Sequence, residues 1–200
     1  MAKASRNTAK HLTIVFGGTF LVASTVGLAS EVFIEKVSSL VLALLFLLFM
    51  IFLHIVFDIV AVAAMSANEV PFHAKAANKV SGAGQAVKII RNADLVANFC
   101  ADVVGDVTGT ISGALAAGII LDILRIAPSF NSFEMLVSAI FLAVVASITV
   151  TGKAFGKTFA LAKANEVVFW VGKILAGVEA ATGIKVFSSG KKRKKRGKKA

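Results

Sequence analysis

The sequence predicts an all-α membrane protein of four transmembrane helices, with an amphipathic helix along the inner interface. Three observations carry this. Four apolar stretches are each long enough to cross a bilayer, which takes roughly 20 residues. Basic residues fall on alternate sides of those stretches. No stretch alternates polar and apolar residues as a membrane strand would. The chain is 57% hydrophobic with a mean hydropathy of +0.83, and a soluble domain with that much apolar surface would aggregate. The single cysteine, Cys100, excludes an internal disulfide, and there is no CxxC or His/Cys cluster.

The first span, residues 12–30, is the weakest, being rich in Gly, Ser and Thr. A basic stretch, residues 1–11, precedes it, so a signal peptide cut near Ala29-Ser30-Glu31 is the alternative to a retained helix. The second span, 39–65, is the most apolar. The third is 95–121 and the fourth 135–156. Lys3, Arg6 and Lys10 precede the first span, and Lys36 alone follows it. Lys75, Lys79, Lys88 and Arg91 separate the second from the third, and Arg125 alone separates the third from the fourth. Lys153, Lys157, Lys163 and Lys173 then lead to a tail. The positive-inside rule puts both termini and the middle loop in the cytoplasm, with the protein in the cell's inner (plasma) membrane. Four spans require that arrangement.

Residues 68–92 read as a short cytoplasmic helical hairpin broken at Ser81-Gly82-Ala83-Gly84. Residues 160–182 place Val167, Phe169, Trp170, Ile174, Leu175 and Val178 mostly on one stripe. That fits an interfacial helix with its tryptophan at headgroup depth, a fifth span being the alternative. The transmembrane domain therefore runs over 12–182, and 183–200 forms a polybasic cytoplasmic tail. Residues 191–199 carry eight of the 22 Lys and Arg. Such clusters bind anionic lipid. Nucleic acid is a poorer partner, because no aromatic residue is interleaved to stack on bases.

Ionisable residues at membrane depth are costly and mark function by default. Asp102 and Asp106 stand at i and i+4, on one helical face. Gly105, Gly109 and Gly113 form overlapping GxxxG motifs, which let a second helix approach closely and suggest a homodimer. The expectation is that the aspartates point into a bundle near the midplane, with Thr108, Thr110 and Ser112 adding hydroxyls. Such oxygens suit a hard divalent cation such as Mg²⁺ as a transported ion, no tightly bound cofactor being expected. The alternative is a structural aspartate pair. His54 and Asp58, also i and i+4, are either a proton relay or cation ligand pair, or a mutually satisfied bridge inside the bundle. Lys153 either snorkels to the inner interface or pairs with Asp102 or Asp106. An enzyme is not expected, since there is no HExxH and no Ser/His pairing at useful spacing.

Three stretches in order, SANEVPF, VVGDVTGTISGA and ITVTGKAFGKTFALAKANEVV, resemble the transmembrane domain of the cyclin-M (CNNM)/CorC/CorB family of magnesium and cobalt transport proteins, over roughly residues 45–180. The resemblance implies a homodimeric transporter or exporter of divalent cations, with Mg²⁺ contacts drawn from Asn68, Glu69, Asp102, Asp106, Thr108 and Ser112. It also implies departures. Lys153 stands where the family has a glutamate, Gly156 where it has a proline, and Asp106 where it has an asparagine. The basic tail stands where the family carries CBS domains. A lysine opposing a divalent cation keeps a second reading open: a non-transporting membrane scaffold or regulatory subunit whose tail binds anionic lipid or a partner.

Overall fold

The computed structural model describes residues 13, 16–28, 39–183 and 187. The basic N-terminus, the loop at 29–38 and nearly all of the tail lie outside the described residues, as do the ends of the first expected span. Every regular element among the described residues is helical. The helices are α1 (Phe16–Leu28), α2 (Leu40–Ser66), α3 (Val70–Ala77), α4 (Ala83–Arg91), α5 (Ala93–Ala97), α6 (Asp106–Ile126), α7 (Glu134–Ala162) and α8 (Ala164–Thr182). A π-helical segment, Asn98–Gly105, joins α5 to α6 without a break, and a 3₁₀ turn, Pro128–Phe133, leads into α7.

Among the described residues, three helical runs are long and apolar enough to cross a membrane: Leu40–Ser66, Ala93–Ile126 and Glu134–Ala162. The shortest has 27 residues, about 40 Å at 1.5 Å per residue, against a hydrocarbon core of roughly 30 Å. α1 is a shorter apolar helix. The second and third of these runs extend past the expected span limits of 121 and 156, because Pro128 and the turn at Lys163, not the edge of the apolar stretch, end them. The packing makes α2, the Ala93–Ile126 run and α7 successively antiparallel, since the start of α2 meets the end of that run and Ile55 and Ile59 of α2 meet Gly152 and Gly156 of α7.

The central strut is α2, which contacts α5, the π segment, α6, α7 and α8. Two apolar cores form along it. Toward its N-terminus, Ala43, Leu47, Met50 and Ile51 pack with Leu115, Ala116 and Ile119. Toward its C-terminus, Ala63 and Ala64 pack with Phe72, Ala86, Ile89, Ala160 and Val168. The second core resembles that of a small soluble domain: α3 and α4 fold into the expected hairpin, and α8 closes over it. The hairpin breaks slightly earlier than predicted, at 78–82, with Lys79 (φ 56°) and Gly82 (φ +83°) in the left-handed region. Positive φ comes at no steric cost for glycine, whereas Lys79 is an uncommon occupant.

The tightest helix crossings use glycines that the sequence reading passed over. On α7, Gly152 and Gly156 face Ile55 and Ile59 of α2. A Cβ on Gly156 would stand 2.9 Å from Ile59 Cγ1, and one on Gly152 would run into Ile55 Cδ1. Ala160, buried, continues the same i, i+4, i+8 stripe. On α8, Gly172 sits against the hairpin turn: its Cβ would be 2.5 Å from the Gly82 carbonyl oxygen and 3.0 Å from Ala86 N. Backbone cannot yield as a side-chain tip can, so Gly172→Ala should push α8 off the hairpin. We expect a loss of about 1–3 kcal/mol, the usual cost of overpacking, seen as a lower midpoint of thermal unfolding in detergent. An unchanged midpoint would contradict this crossing.

Candidate functional site

Between the two apolar cores lies a polar layer. The inward stripe of α2 steps through Leu47, Met50, Ile51, His54, Asp58 and Ala61, so the 3.6-residue period that buries the leucine also buries the histidine and the aspartate. His54 and Asp58 are each 7% exposed, near the middle of a helix read as membrane-spanning.

Each turns to a different neighbour. The His54 ring lies over Gly109 of α6, where an added Cβ would be 3.0 Å from ring Cε1. Its Nδ1 stands 3.4 Å from the Thr108 hydroxyl. That hydroxyl donates to the carbonyls of Val104 (2.8 Å) and Gly105 (2.9 Å), closing off the π segment. Ser112 Oγ donates to the Thr108 carbonyl at 2.8 Å. Hydroxyls at apolar depth commonly spend their proton this way, leaving their lone pairs as what they can offer a ligand. Asp58 Oδ2 faces Lys157 Nζ of α7 at 3.9 Å, an ionic contact too long to be a hydrogen bond. His54 Nε2 and Asp58 Oδ2 are buried without a hydrogen-bond partner among the described residues. Each such atom costs about 1–3 kcal/mol relative to a satisfied one.

The expected mutual His54–Asp58 bridge is therefore not formed. One helical turn separates the two residues, and tertiary packing draws each toward a different helix. Lys153 makes no ion pair with Asp102 or Asp106; the residue that reaches an acid is Lys157, one turn further along the same face. Sequence reasoning missed Lys157 as a site residue, although its i+4 spacing from Lys153 was visible. Beside His54, a cleft of about 410 Å³ opens between α2, α6 and α7, lined by Ile51, Gly109, Ser112, Gly113, Leu142 and Thr149 among others.

The other predicted residues fall elsewhere. Asp102 lies within the π segment and Asp106 opens α6, and both are exposed on the described chain instead of facing its bundle. The reason is rotational: the face of α6 that meets α2 is the buried series Gly105, Thr108, Ser112, Leu115 and Ile119, and Asp106 lies off it. The glycine series splits likewise. Gly105 is buried, Gly109 supports His54, and Gly113 is open. Thr110 is exposed and donates to the Asp106 carbonyl. No three His, Cys, Asp or Glu among the described residues are grouped to hold a metal ion.

Asn68 and Glu69 lie at the hairpin end. The Asn68 N–H donates to Asn165 Oδ1 at 2.8 Å, and Asn68 Oδ1 accepts from the Val70 N–H at 3.0 Å. Glu69 Oε1 accepts from Arg91 Nε at 2.6 Å and meets His73 Nε2 at 2.7 Å. Both groups thus tie α2, α3, α4 and α8 together.

Comparison of the chain with known protein families, with curated proteins and with solved structures finds no match.

The Arg91 hydrogen bond, helped by His73, holds the Glu69 carboxyl below its ordinary value. A carboxyl lowered on folding stabilises above its unfolded pKa, and the contribution is lost as pH falls through the folded one. The hairpin should therefore loosen on acidification below the ordinary glutamate range. In Glu69→Gln that acid-dependent part should be missing. Amide exchange over residues 70–91 at neutral and acid pH measures both, and an identical pH response in wild type and variant would contradict it.

Proposed function

We propose that the protein is a multi-pass cation transporter of the cell's inner membrane, with Mg²⁺ the cargo that its resemblance to cyclin-M/CorC/CorB proteins implies. In this reading α1 belongs to a fourth span, and both termini and the α3–α4 hairpin are cytoplasmic, consistent with the alternation of basic residues. The observation that carries the proposal is Asp58 Oδ2: a buried carboxylate oxygen without a hydrogen bond in the middle of an apolar bundle, 3.9 Å from the half-exposed ammonium of Lys157.

A buried carboxylate needs a positive partner. Lys157 is on a flexible stem and close enough to neutralise Asp58, but too far to saturate it. A cargo cation entering the cleft at His54 and passing one helical turn on to Asp58 would displace Lys157, and departure of the cation would bring the lysine back. His54, one turn away, supplies a nitrogen that can take or release a proton as the charge of the site changes. The hydroxyls of Thr108 and Ser112 offer lone pairs on the opposite wall. Asp102 and Asp106 would join the pathway from the outward face, where a second copy of the chain would cover them. Asn68 and Glu69 stand at the cytoplasmic end of the route. The chemistry needed is binding and release, with no bond to substrate made or broken.

One observation favours a second reading, the non-transporting scaffold: Lys157 already provides a tethered counter-charge to Asp58. Proteoliposomes carrying a Mg²⁺-sensitive dye separate the two. Transport requires Mg²⁺ flux above the protein-free background in wild type, its loss in Asp58→Asn, and its persistence in Lys157→Gln. Full flux in Asp58→Asn removes the site; no flux in the wild type favours the scaffold.

A further inference from the structure

On the hairpin side of the bundle, two lysines from different helices converge on one ring. Lys75 Nζ of α3 lies 4.4 Å from the centroid of Phe169 on α8, and Lys173 Nζ lies 4.6 Å from the same centroid. Lys173 also stands 4.9 Å from the ring of Trp170, and Phe169 packs on the fully buried Phe72 at 6.2 Å between centroids. The platform is anchored in the hairpin core, so the positions of the two cations follow from the fold. Ring faces attract ammonium groups, but two ammoniums at one ring repel each other.

Among the described residues, neither lysine has an acidic partner. The helical neighbours three and four residues away are Pro71, Phe72, Asn78 and Lys79 for Lys75, and Phe169, Trp170, Ala176 and Gly177 for Lys173. Neither lysine forms an ion pair among the described residues, whereas Glu69 and Glu166 on the same side have theirs. Next to this pair runs an apolar stripe that the described residues leave uncovered: Trp170, Ile174 and Val178, at i, i+4 and i+8, are 64%, 66% and 46% exposed. A tryptophan-headed apolar stripe beside exposed cations is the pattern of a helix lying in a membrane interface.

We propose that Lys75 and Lys173, on the Phe169–Trp170 platform, form a binding site for the headgroup phosphate of an anionic phospholipid, whose chains lie along the Trp170–Ile174–Val178 stripe. The negative phosphate relieves the repulsion between the two ammoniums, and the exposed stripe supplies apolar contact that a free anion could not use. The proposed site uses no residue of the basic tail and does not depend on transport. Its occupancy joins α3 to α8 and so braces the hairpin against the bundle.

Trp170 is the chain's single tryptophan, which makes it a direct reporter. Full-length protein in detergent is titrated with bromine-labelled phosphatidylglycerol or phosphatidylcholine, and quenching of Trp170 is followed. Wild type should be half-quenched at a lower mole fraction of the anionic lipid, by about thirtyfold given the attraction per lysine at a charged surface. Lys75→Gln/Lys173→Gln should abolish that preference, and Lys75→Arg/Lys173→Arg should keep it. A full-length Lys191→Gln/Lys192→Gln/Lys194→Gln/Lys195→Gln variant should also keep it. The proposal is overturned if the two lipids quench wild type equally, if the double Gln variant retains the preference, or if the tail variant alone loses it. Displacement of the lipid by millimolar inorganic phosphate would equally overturn it, since the site would then be one for free anions.

Discussion

The close approach of α7 to α2 at Gly152 and Gly156 is the contact on which the remaining geometry depends. Ile55 and Ile59 occupy the volume that two β-carbons would need. Lipid tails are as apolar as isoleucine, so hydrophobicity alone gives helices in a bilayer little reason to associate. Close van der Waals packing does, and it requires a small residue on one side of the crossing. This contact brings α7 near enough to α2 for Lys157 to reach Asp58. Gly109 plays the equivalent part on α6, allowing the His54 ring to lie against that helix.

The polar layer follows from this framework. His54 and Asp58 occupy positions that would otherwise extend the apolar stripe between the two cores. Desolvation penalises each of them, and neither satisfies the other. A site that served stability alone would do better with apolar residues there. The layer is thus where conformational stability has been given up along α2, and the cleft beside it is lined by His54.

The hairpin side follows different physics. There the chain makes a compact core of Phe72, Ile89 and Val168 and secures it with Glu69 bonded to Arg91 and His73. Aromatic rings and lysines sit on its outer surface. The molecule therefore combines a bundle held by small-residue packing with an appended unit held by ordinary hydrophobic burial. They share α2, whose last turns enter the second core.

Much of this was legible in the sequence. The apolar stretches, the hairpin and the separate last helix depend on hydrophobicity and on chain breakers such as Pro128 and Gly82, which act locally. That His54 and Asp58 share a face also follows from spacing alone. What spacing could not give is the direction in which a face points. Asp102 and Asp106 share a face, yet it is the outward one, because the π segment and the contact of Thr108 and Ser112 with α2 set the rotation of the helix. Likewise, glycines at four-residue intervals occur on both α6 and α7, and only packing tells which series meets a neighbour closely. Periodicity fixes each helix up to a rotation about its axis. That last angle is chosen by contacts between residues far apart in the chain, and with it the tertiary structure alone decided that Lys157, not Lys153, stands opposite Asp58.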